Sequence, residues 1–483
     1  MQQAVLILDF DVALAGLIAR TLRSQQLYCV PVPCGITLAQ AQAYAPCGLI
    51  LAARHGQDVS LADLDFSLLE SDLPVLALGG TVPALCAHYG GRVANREGED
   101  ESVTLSLNEH PLFEGITGGE RVLHDMCDLE LPEGLQCLAT ATERCIGFLR
   151  ETGTLLAVQY PIERNDPDAV QLLHNFACLV CGLEPLWTED FIINQAVTAL
   201  QAVAGEGHLL CAVSGGVDSA VCARLARMAV GDRLTCLFVD TGLFRHHEPQ
   251  TVLDSYQETL GLSVQRVDAQ ESFLKALSGL RGTQEKQQAA ARLLTQVYAR
   301  ELAQLPGAHT LVLGTNLNDV LYTDPPRAAS GGAPDALPLC EPVRGLFKDE
   351  IRRLAKALSL PSTLAERQPF PAAGLALRLF GEVTADRLAT LRKADAYFGE
   401  EIRAGGHERK LWQYFASMAD APDGQGGLMV VLHACQACSP VACASRLPYD
   451  LLERVTERIL RELPAVTLVM YDLTPSNSYS LVE

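Results

Sequence analysis

The chain has 483 residues, 48% hydrophobic and 20% charged, which predicts roughly two to four domains with sizeable apolar cores. Its 37 Lys and Arg residues face 58 Asp and Glu residues, and the net charge of −21 argues against a nucleic-acid partner. No uninterrupted apolar run reaches the about 18 residues of a membrane span, so no membrane partner is expected. The start, MQQAVLILDFD, lacks the basic segment of a signal peptide, and most of the 16 cysteines lie in apolar runs, which together favour a cytoplasmic protein.

Over about the first 187 residues, short apolar runs alternate with amphipathic stretches. AVLILDF (4–10), GLILAA (48–53) and LPVLALGG (73–80) have the length and composition of buried strands. This alternation predicts a doubly wound α/β domain with a parallel sheet.

A second series of buried strands begins near residue 208 and alternates with helical segments such as 285–304. Its strands are predicted at LLCAV (209–213), RLTCLFVD (233–240), LSVQRVD (262–268) and HTLVLGT (309–315). The predicted fold class is therefore α/β with two doubly wound parallel-sheet domains.

From about residue 366 the pattern changes to that of a smaller α+β domain. MVVLHAC (429–435) and AVTLVMYDL (465–473) are typical of strands, and residues 447–463 have the periodicity of an amphipathic helix.

The hexapeptide Ser214-Gly215-Gly216-Val217-Asp218-Ser219 directly follows the LLCAV strand. Ligands bind beyond the carboxyl ends of such strands, and two glycines let the backbone approach a ligand closely. The N–H groups here and at the next helix start favour an anion, and the serines add hydroxyl donors. Asp218 would repel a bare phosphate, so it indicates either helix capping or a bound Mg²⁺. A plain strand–turn–helix connection is the alternative.

SGGVDS resembles the signature of the pyrophosphate-loop ATPases, which cleave ATP between its α and β phosphates and transfer AMP to an oxygen. The Gly-Lys-Ser/Thr ending of the Walker loop is absent. Further stretches resemble GMP synthases and extend the resemblance over almost the whole chain: VDTGLFR (239–245), LVLGTNLNDV (311–320), EPVRGLFKDEIRRLAKALSLP (341–361), QPFPAAGLALRLFGEVT (368–384) and SRLPYDLL (445–452).

The resemblance implies three domains: a class I glutamine amidotransferase-like domain at 1–187, an ATP pyrophosphatase domain at 188–366 and a dimerisation-like domain at 367–483. It also implies an enzyme that uses ATP and Mg²⁺ to adenylate a purine carbonyl oxygen of XMP or a related acceptor. Ammonia would then displace AMP, and the chain would be a homodimer.

The resemblance carries several site residues onto this chain. Asp218 and Lys348 would be catalytic, with Asp218 also at the Mg²⁺, while Arg378 and Asp319 would lie at the acceptor site. The ATP-binding residues would be Ser214, Gly215, Gly216, Val217, Asp218, Ser219, Val239, Asp240, Gly314 and Thr315.

The glutaminase positions depart from the family pattern. Gly79 stands where the nucleophilic cysteine belongs, and Pro161 stands where its histidine belongs, so that only Glu163 of that group remains. A thiol without its base cannot be activated, and here the thiol itself is missing. The domain is expected to be inactive, with nitrogen supplied by free ammonia or by a separate glutaminase.

The acceptor side departs as well. The family's lysine-rich loop is PPRAASGGAPDALP (325–338) here, an Asp-x-Arg-Thr-Tyr stretch is QGGLMVV (425–431), and the tail that reaches the acceptor phosphate is TPSNSYSLVE (474–483). ATP motifs are therefore kept while acceptor motifs drift, which favours a changed, less anionic acceptor. The alternative is a catalytically reduced paralogue that serves as a nucleotide-binding or partner-binding subunit.

Overall fold

The structure is a computed structural model and consists of two units. The first contains residues Met1–Ile192, and the second contains residues Ile193–Glu483. The residues described are 3–95, 101–123, 126–151, 154–305, 307–322, 338–365, 367–368, 370–371, 373–422, 426–438 and 441–474. The predicted boundaries at 187/188 and 366/367 remain predictions.

The first unit contains a mixed sheet in the order β2-β1-β3-β4-β11-β10-β9-β6-β7, and a separate antiparallel pair β5-β8. Strands β2, β1, β3, β4 and β11 are parallel, and the other neighbours are antiparallel. The strands are β1 (Ala4–Asp9), β2 (Cys29–Pro33), β3 (Pro46–Ala52), β4 (Val75–Leu78), β5 (Arg92–Asn95), β6 (Glu101–Leu107), β7 (Gly119–Leu123), β8 (Cys127–Glu130), β9 (Leu135–Ala141), β10 (Arg144–Arg150) and β11 (Leu155–Val158).

The parallel half of this sheet was predicted from its apolar runs. In β1 every residue from Ala4 to Leu8 is buried, as expected for a parallel strand covered on both faces. Helix α1 (Val12–Ser24) follows it, and Asp11 caps this helix by accepting a hydrogen bond from the Leu14 N–H at 2.8 Å. The other helices of this unit are α2 (Leu38–Ala41), α3 (Thr81–His88) and α4 (Pro167–Asn175).

The second unit contains a five-stranded parallel sheet in the order β14-β13-β12-β15-β16. Its strands are β12 (His208–Ala212), β13 (Leu234–Asp240), β14 (Val264–Asp268), β15 (Ala308–Val312) and β16 (Leu339–Cys340). Its helices are α5 (Glu189–Ala204, which begins before the unit boundary), α6 (Val217–Val230), α7 (Glu248–Asp254), α8 (Gln270–Leu277), α9 (Thr283–Gln304), α10 (Leu317–Tyr322), α11 (Lys348–Ala357) and α12 (Ser362–Ala365). The order places β12 in the middle of the sheet. Because all five strands are parallel, the turn after β12 lies at the carboxyl edge.

The same unit ends in a smaller β-rich domain. Strand β18 (Leu428–Cys438) pairs along one edge with β17 (Gln413–Asp420), and along the other with β20 (Val466–Tyr471) and β19 (Val441–Ala444). Helices α13 (Ala385–Ala404) and α14 (Tyr449–Glu462) cover one face of this sheet. In α14 the buried residues Leu451, Val455 and Ile459 recur every four positions, which is the apolar stripe that the sequence predicted.

The structure thus confirms the predicted fold class, two α/β domains with parallel strands and a small C-terminal domain. Its first sheet also carries an antiparallel half that the apolar runs did not predict. Among the described residues, no helix combines the length and the apolar character that crossing a membrane would need.

Candidate functional site

The turn between β12 and α6 forms the centre of the site. Gly215 has φ +81°, a conformation that favours glycine, and a Cβ there would lie 2.1 Å from Nη1 of Arg367. Gly216 precedes the helix in an extended conformation and caps it without a side chain. The first N–H groups of α6 have no intrahelical acceptors, so the helix start offers donors to an anion.

Two serines hold this turn and differ in their exposure. Ser219 is 6% exposed, and its Oγ accepts a hydrogen bond from the Ser214 N–H at 3.2 Å and donates to the Gly216 carbonyl at 3.0 Å. Ser214 is exposed, and its Oγ accepts from the Gly216 N–H at 3.3 Å. Ser219 therefore stabilises the turn, whereas the Ser214 hydroxyl can contact a ligand. Val217 is buried in the core, so only its backbone can contribute.

Asp218 and Lys348 meet beside the turn. Lys348 is the first residue of α11, and its Nζ donates to Oδ2 of Asp218 at 2.5 Å. The Phe347 N–H donates to Glu350 at 2.8 Å and fixes the start of this helix. The other carboxylate oxygen of Asp218, Oδ1, is buried and has no hydrogen-bond partner among the described residues. A buried oxygen of this kind is a candidate ligand for a cation.

Further acidic groups face this pair. Asp319 is solvent-accessible as a residue, but protein atoms surround much of its carboxylate. This desolvation raises the pKa of Asp319, and the negative charges of Asp218 and Glu341 raise it further. A hydrogen bond from the Asn316 N–H at 2.9 Å and the charge of Lys348 act in the opposite direction. Because the charged form of Asp319 is disfavoured, a cation near this carboxylate would stabilise its ionised form.

Gly314 and Thr315 lie at the end of β15, next to the turn. A Cβ on Gly314 would lie 2.9 Å from the Ser219 backbone nitrogen, so a glycine is needed for the close packing of this segment against α6. The Thr315 hydroxyl donates to Glu341, which also forms an ion pair with Arg344 at 2.5 Å. Thr315 therefore positions Glu341 rather than presenting a free hydroxyl.

Val239 and Asp240 end the neighbouring strand β13. Val239 is a core residue, and Asp240 is only 3% exposed. The Asp240 carboxylate accepts hydrogen bonds from the Gly242 N–H at 3.0 Å, from Arg266 at 2.6 Å and from Gln270 at 3.1 Å. These bonds stabilise the turn after β13, and contact of Asp240 with ATP or metal remains a prediction.

The second predicted acceptor residue, Arg378, lies with the C-terminal domain and is fully buried. Its guanidinium carbon lies 4.2 Å from the ring centre of Phe415, and Nη1 lies 3.5 Å from Oδ1 of Asp395. None of its three nitrogens has a hydrogen-bond partner in the described part of the chain. Burial, with the charge of Arg245, lowers the pKa of Arg378 to about 9, so the group remains charged at neutral pH.

Comparison with known proteins gives a family model and several relatives that cover this site. The family model described as NAD synthase matches residues 192–397. "GMP synthase [glutamine-hydrolyzing]" of Parafrankia sp. (strain EAN1pec) is 36% identical over 97% of this chain and 94% of its own length. The proteins of the same description from Carboxydothermus hydrogenoformans and Nocardia farcinica are 33% and 34% identical, each over 98% of this chain and over 98% and 97% of their own lengths.

This chain belongs to the GMP synthase family. The recognition made from the sequence is therefore confirmed, and with it the assignment to the ATP-using ligases. We call the turn at 214–219 the pyrophosphate loop of this chain, and its contact with ATP remains a prediction.

The turn of the first unit that was predicted to correspond to a nucleophile elbow has no room for a side chain at Gly79. Gly79 lies between β4 and α3 with φ +59°, and a Cβ there would lie 1.9 Å from the Ala53 carbonyl oxygen. The Gly80 N–H donates to the Arg54 carbonyl at 3.0 Å, so the neighbouring loop closes over the elbow. Pro161 precedes a short turn of helix, and Glu163 in that turn accepts a hydrogen bond from the His55 N–H at 2.9 Å. Glu163 thus has a structural partner in this member of the GMP synthase family.

Sequence reasoning missed two residues of the GMP synthase-type site. Glu341 directly follows the two-residue strand β16, which the apolar runs did not predict, and the available signal was that Glu341 begins the family-like stretch at 341–361. Arg367 bonds to the turn itself, and no local pattern distinguishes it from other arginines. The segments 325–337 and 475–483, on which the acceptor-side predictions depend, lie outside the described residues.

Proposed function

We propose that this chain transfers AMP from ATP to a carbonyl oxygen of a purine nucleotide, XMP or a close relative, and that ammonia then displaces AMP. The pyrophosphate loop carries the proposal, because a glycine turn at a helix start, with Lys348 beside it, is built to hold an anion. Family membership supports the use of ATP, and the identity of the acceptor is part of the proposal.

The residues of the loop would act on the leaving group. In the first step the bond between the α phosphorus and the bridging oxygen breaks, while a bond from the acceptor oxygen to that phosphorus forms. The backbone N–H groups of residues 215–219 and the Ser214 hydroxyl would hold the departing pyrophosphate, and the Lys348 ammonium would offset its growing charge. In the second step a C–N bond forms, the C–O bond to AMP breaks, and the amine loses a proton to solvent.

The residues present also fit a magnesium ion. Oδ1 of Asp218 is a buried oxygen that lacks a hydrogen-bond partner in the described chain. Asp319 adds a second carboxylate, whose ionised form is disfavoured unless a cation is bound nearby. Mg²⁺ is commonly held by one or two carboxylates together with substrate phosphates, and no cluster of three or more ligating residues occurs among the described residues. When bound, the ion would neutralise charge on the pyrophosphate, and Asp218 would hold it.

Two cations, the partly exposed Arg245 and the buried Arg378, support an acceptor with a negatively charged group. Nε of Arg245 lies 3.3 Å from Asp395, the same carboxylate that faces Arg378, and Nε and Nη2 of Arg245 lack hydrogen-bond partners in the described part of the chain. Two guanidinium groups thus share one carboxylate, which leaves one positive charge uncompensated. Such a charge is costly in a largely buried setting unless a ligand supplies the counter-charge, and Arg245 is the member of the pair that a ligand can reach. This observation favours XMP over an uncharged heterocycle, in contrast to the less anionic acceptor that the drift of the acceptor motifs favoured.

We further propose that the nitrogen comes from free ammonia or from a separate glutaminase. The missing cysteine at Gly79, the missing histidine at Pro161 and the closed elbow support this source. The words "glutamine-hydrolyzing" describe the relatives, and glutamine hydrolysis is not proposed for this chain.

The chain is also proposed to be a homodimer that forms through the C-terminal sheet. Helices cover one face of this sheet, while Leu468 and Met470 of β20 are 36% and 49% exposed on the other, in register with Met429 and Val431 of β18. Open apolar sheet faces mark interaction sites, and a second copy would cover this one. Light scattering should give the mass of a dimer for the wild type and of a monomer for Leu468→Glu/Met470→Glu.

One assay tests the catalytic proposal. The purified chain is incubated with ATP, MgCl₂, NH₄Cl and XMP, and AMP, pyrophosphate and GMP are measured. Stoichiometric formation of all three is expected, with a loss of about 100-fold or more in Ser214→Ala and Asp218→Asn. Ser255→Ala, which removes a hydroxyl bonded to the Thr251 carbonyl, is the matched control.

Two results would overturn the proposal. Binding of ATP without AMP release for any of a panel of purine nucleotides would favour a nucleotide-binding subunit without catalysis. Turnover with glutamine in place of ammonia would refute the proposed nitrogen source.

A further inference from the structure

Arg367 connects the pyrophosphate loop to helix α7. Its Nη1 donates to the Gly215 carbonyl at 2.6 Å, and its Nη2 donates to the carboxylate of Glu248, the first residue of α7. The side chains of Arg367 and Glu248 are only 20% and 11% exposed. Charged hydrogen bonds in such a setting are strong and fix geometry.

The contact with Gly215 determines which way a peptide group faces. In a trans peptide the carbonyl and the following N–H point in opposite directions, so holding the Gly215 oxygen toward Arg367 directs the Gly216 N–H away from it. That N–H points to Ser214 Oγ at 3.3 Å, on the inner side of the turn. A glycine in this conformation can rotate its peptide at low cost. The rotated form would turn a carbonyl oxygen toward the pyrophosphate and repel it.

Glu248 extends the connection to the next segment. Its second oxygen accepts a hydrogen bond from the Arg245 N–H at 2.7 Å, and the Arg245 side chain pairs with Asp395. One ion pair between Arg367 and Glu248 therefore joins the loop to the segment that carries the Arg245 cation.

We propose that Arg367, held by Glu248, is a positioning residue for the ATP reaction: it keeps the Gly215–Gly216 peptide in the orientation that binds the pyrophosphate. The inference rests on the proposed function, because it assumes that the loop holds ATP. Arg367 acts through the loop and needs no contact with the substrate.

The test compares two arginines that each bond one carboxylate and one backbone carbonyl. Arg387 bonds the Asp420 carboxylate at 2.8 Å and the Phe380 carbonyl at 2.9 Å, and neither lies in the pyrophosphate loop. Binding of α,β-methylene-ATP with MgCl₂ is measured by calorimetry in Arg367→Met, Arg367→Lys, Glu248→Gln and Arg387→Lys. Kinetic constants and thermal unfolding are measured on the same samples.

Loss of a hydrogen bond from a charged donor is expected to weaken analogue binding in Arg367→Met by about 10- to 100-fold. The KM for ATP should rise while the KM for ammonia stays unchanged. Arg367→Lys should recover part of the binding, because a lysine can reach one of the two acceptors, and Arg387→Lys should bind like the wild type. A residue that only supported folding would not give this split between substrates or this recovery.

Different results separate the inference from the function on which it rests. If the wild type does not bind the analogue, or Ser214→Ala binds it as tightly, the proposed function fails. If Ser214→Ala weakens binding but Arg367→Met does not, the inference is wrong. Should Arg367→Met fail to fold, wild-type binding in both Arg367→Lys and Glu248→Gln would overturn it equally.

Discussion

Lys348 and Asp218 form an ion pair at 2.5 Å although 130 residues separate them in the chain. Both occupy the first turn of a helix, α11 and α6 respectively. A carboxylate is favoured at a helix N-terminus, whereas a lysine there is opposed by the helix dipole. The position of Lys348 is therefore unfavourable for its own helix and is compensated by Asp218, and by the phosphates that we propose bind here.

Replacing Lys348 should remove most of the ATP reaction. Lys348→Met is expected to lower the rate of AMP formation by about 100-fold, because the developing charge on pyrophosphate loses its cation. Lys348→Arg should keep part of the activity. The control is Lys356→Met, an exposed lysine of the same helix, and rates within about twofold of that control would refute the assignment.

Gly314→Ala should impair ATP binding. The added methyl group would lie 2.9–3.1 Å from backbone and Cβ atoms of Asp218 and Ser219, so the start of α6 must move. We expect the KM for ATP to rise by about tenfold, since small displacements of positioned groups are costly. A Cβ at Gly345 would meet no atom within 4 Å, so Gly345→Ala controls for the change of residue type. Equal KM values for the two variants would contradict the packing argument.

Restoring a cysteine at the elbow should not restore glutaminase activity. In Gly79→Cys the Cβ would overlap the Ala53 carbonyl. The histidine that would activate the thiol is also missing, because position 161 is a proline. Gly79→Ala is expected to cost about 3 kcal/mol or more of unfolding free energy, from strain at positive φ plus overpacking. Gly134 has φ +89° with open space around a Cβ, so Gly134→Ala should show only the strain, about 1–2 kcal/mol. Urea denaturation measures both, and equal costs would show that the elbow is not closed.

Lys286 should make the second unit more stable as the pH rises from about 8 to 10.5. Its side chain is buried, and its Nζ donates to the Ala376 and Leu379 carbonyls at 3.3 and 2.5 Å. Burial, with the charge of Arg387, lowers the pKa of Lys286 from 10.5 to about 8. Between these values the folded chain has lost a proton that the unfolded chain still holds, so stability rises with pH, by about 3 kcal/mol in total.

Lys286→Met should lack this gain. The difference in unfolding free energy between wild type and variant is measured at pH 7.5 and pH 10, with the exposed Lys275→Met as control. A difference that does not change with pH would show that Lys286 titrates normally in the folded chain.

Local patterns predicted the elements that are long or strongly apolar. The helix predicted at 285–304 is α9, that at 447–463 is α14, and the strand predicted at 429–435 lies inside β18. The pattern did not predict the antiparallel strands from β6 to β10. β6, for example, alternates buried Val103 and Leu105 with polar residues, and what places it in the sheet is pairing with strands distant in sequence.

The sequence by itself determined the fold class and the family, and it predicted the position of the pyrophosphate loop, because these depend on periodicity and on a contiguous run of residues. Only the tertiary structure decided that Asp218 meets Lys348, that Thr315 binds Glu341, that Asp240 is engaged by Arg266 and that Arg367 holds Gly215. The physical reason is that a short motif encodes the backbone of a turn, whereas the charges around it come from helices and strands up to 152 residues away, which the chain brings together only when the parallel sheet folds.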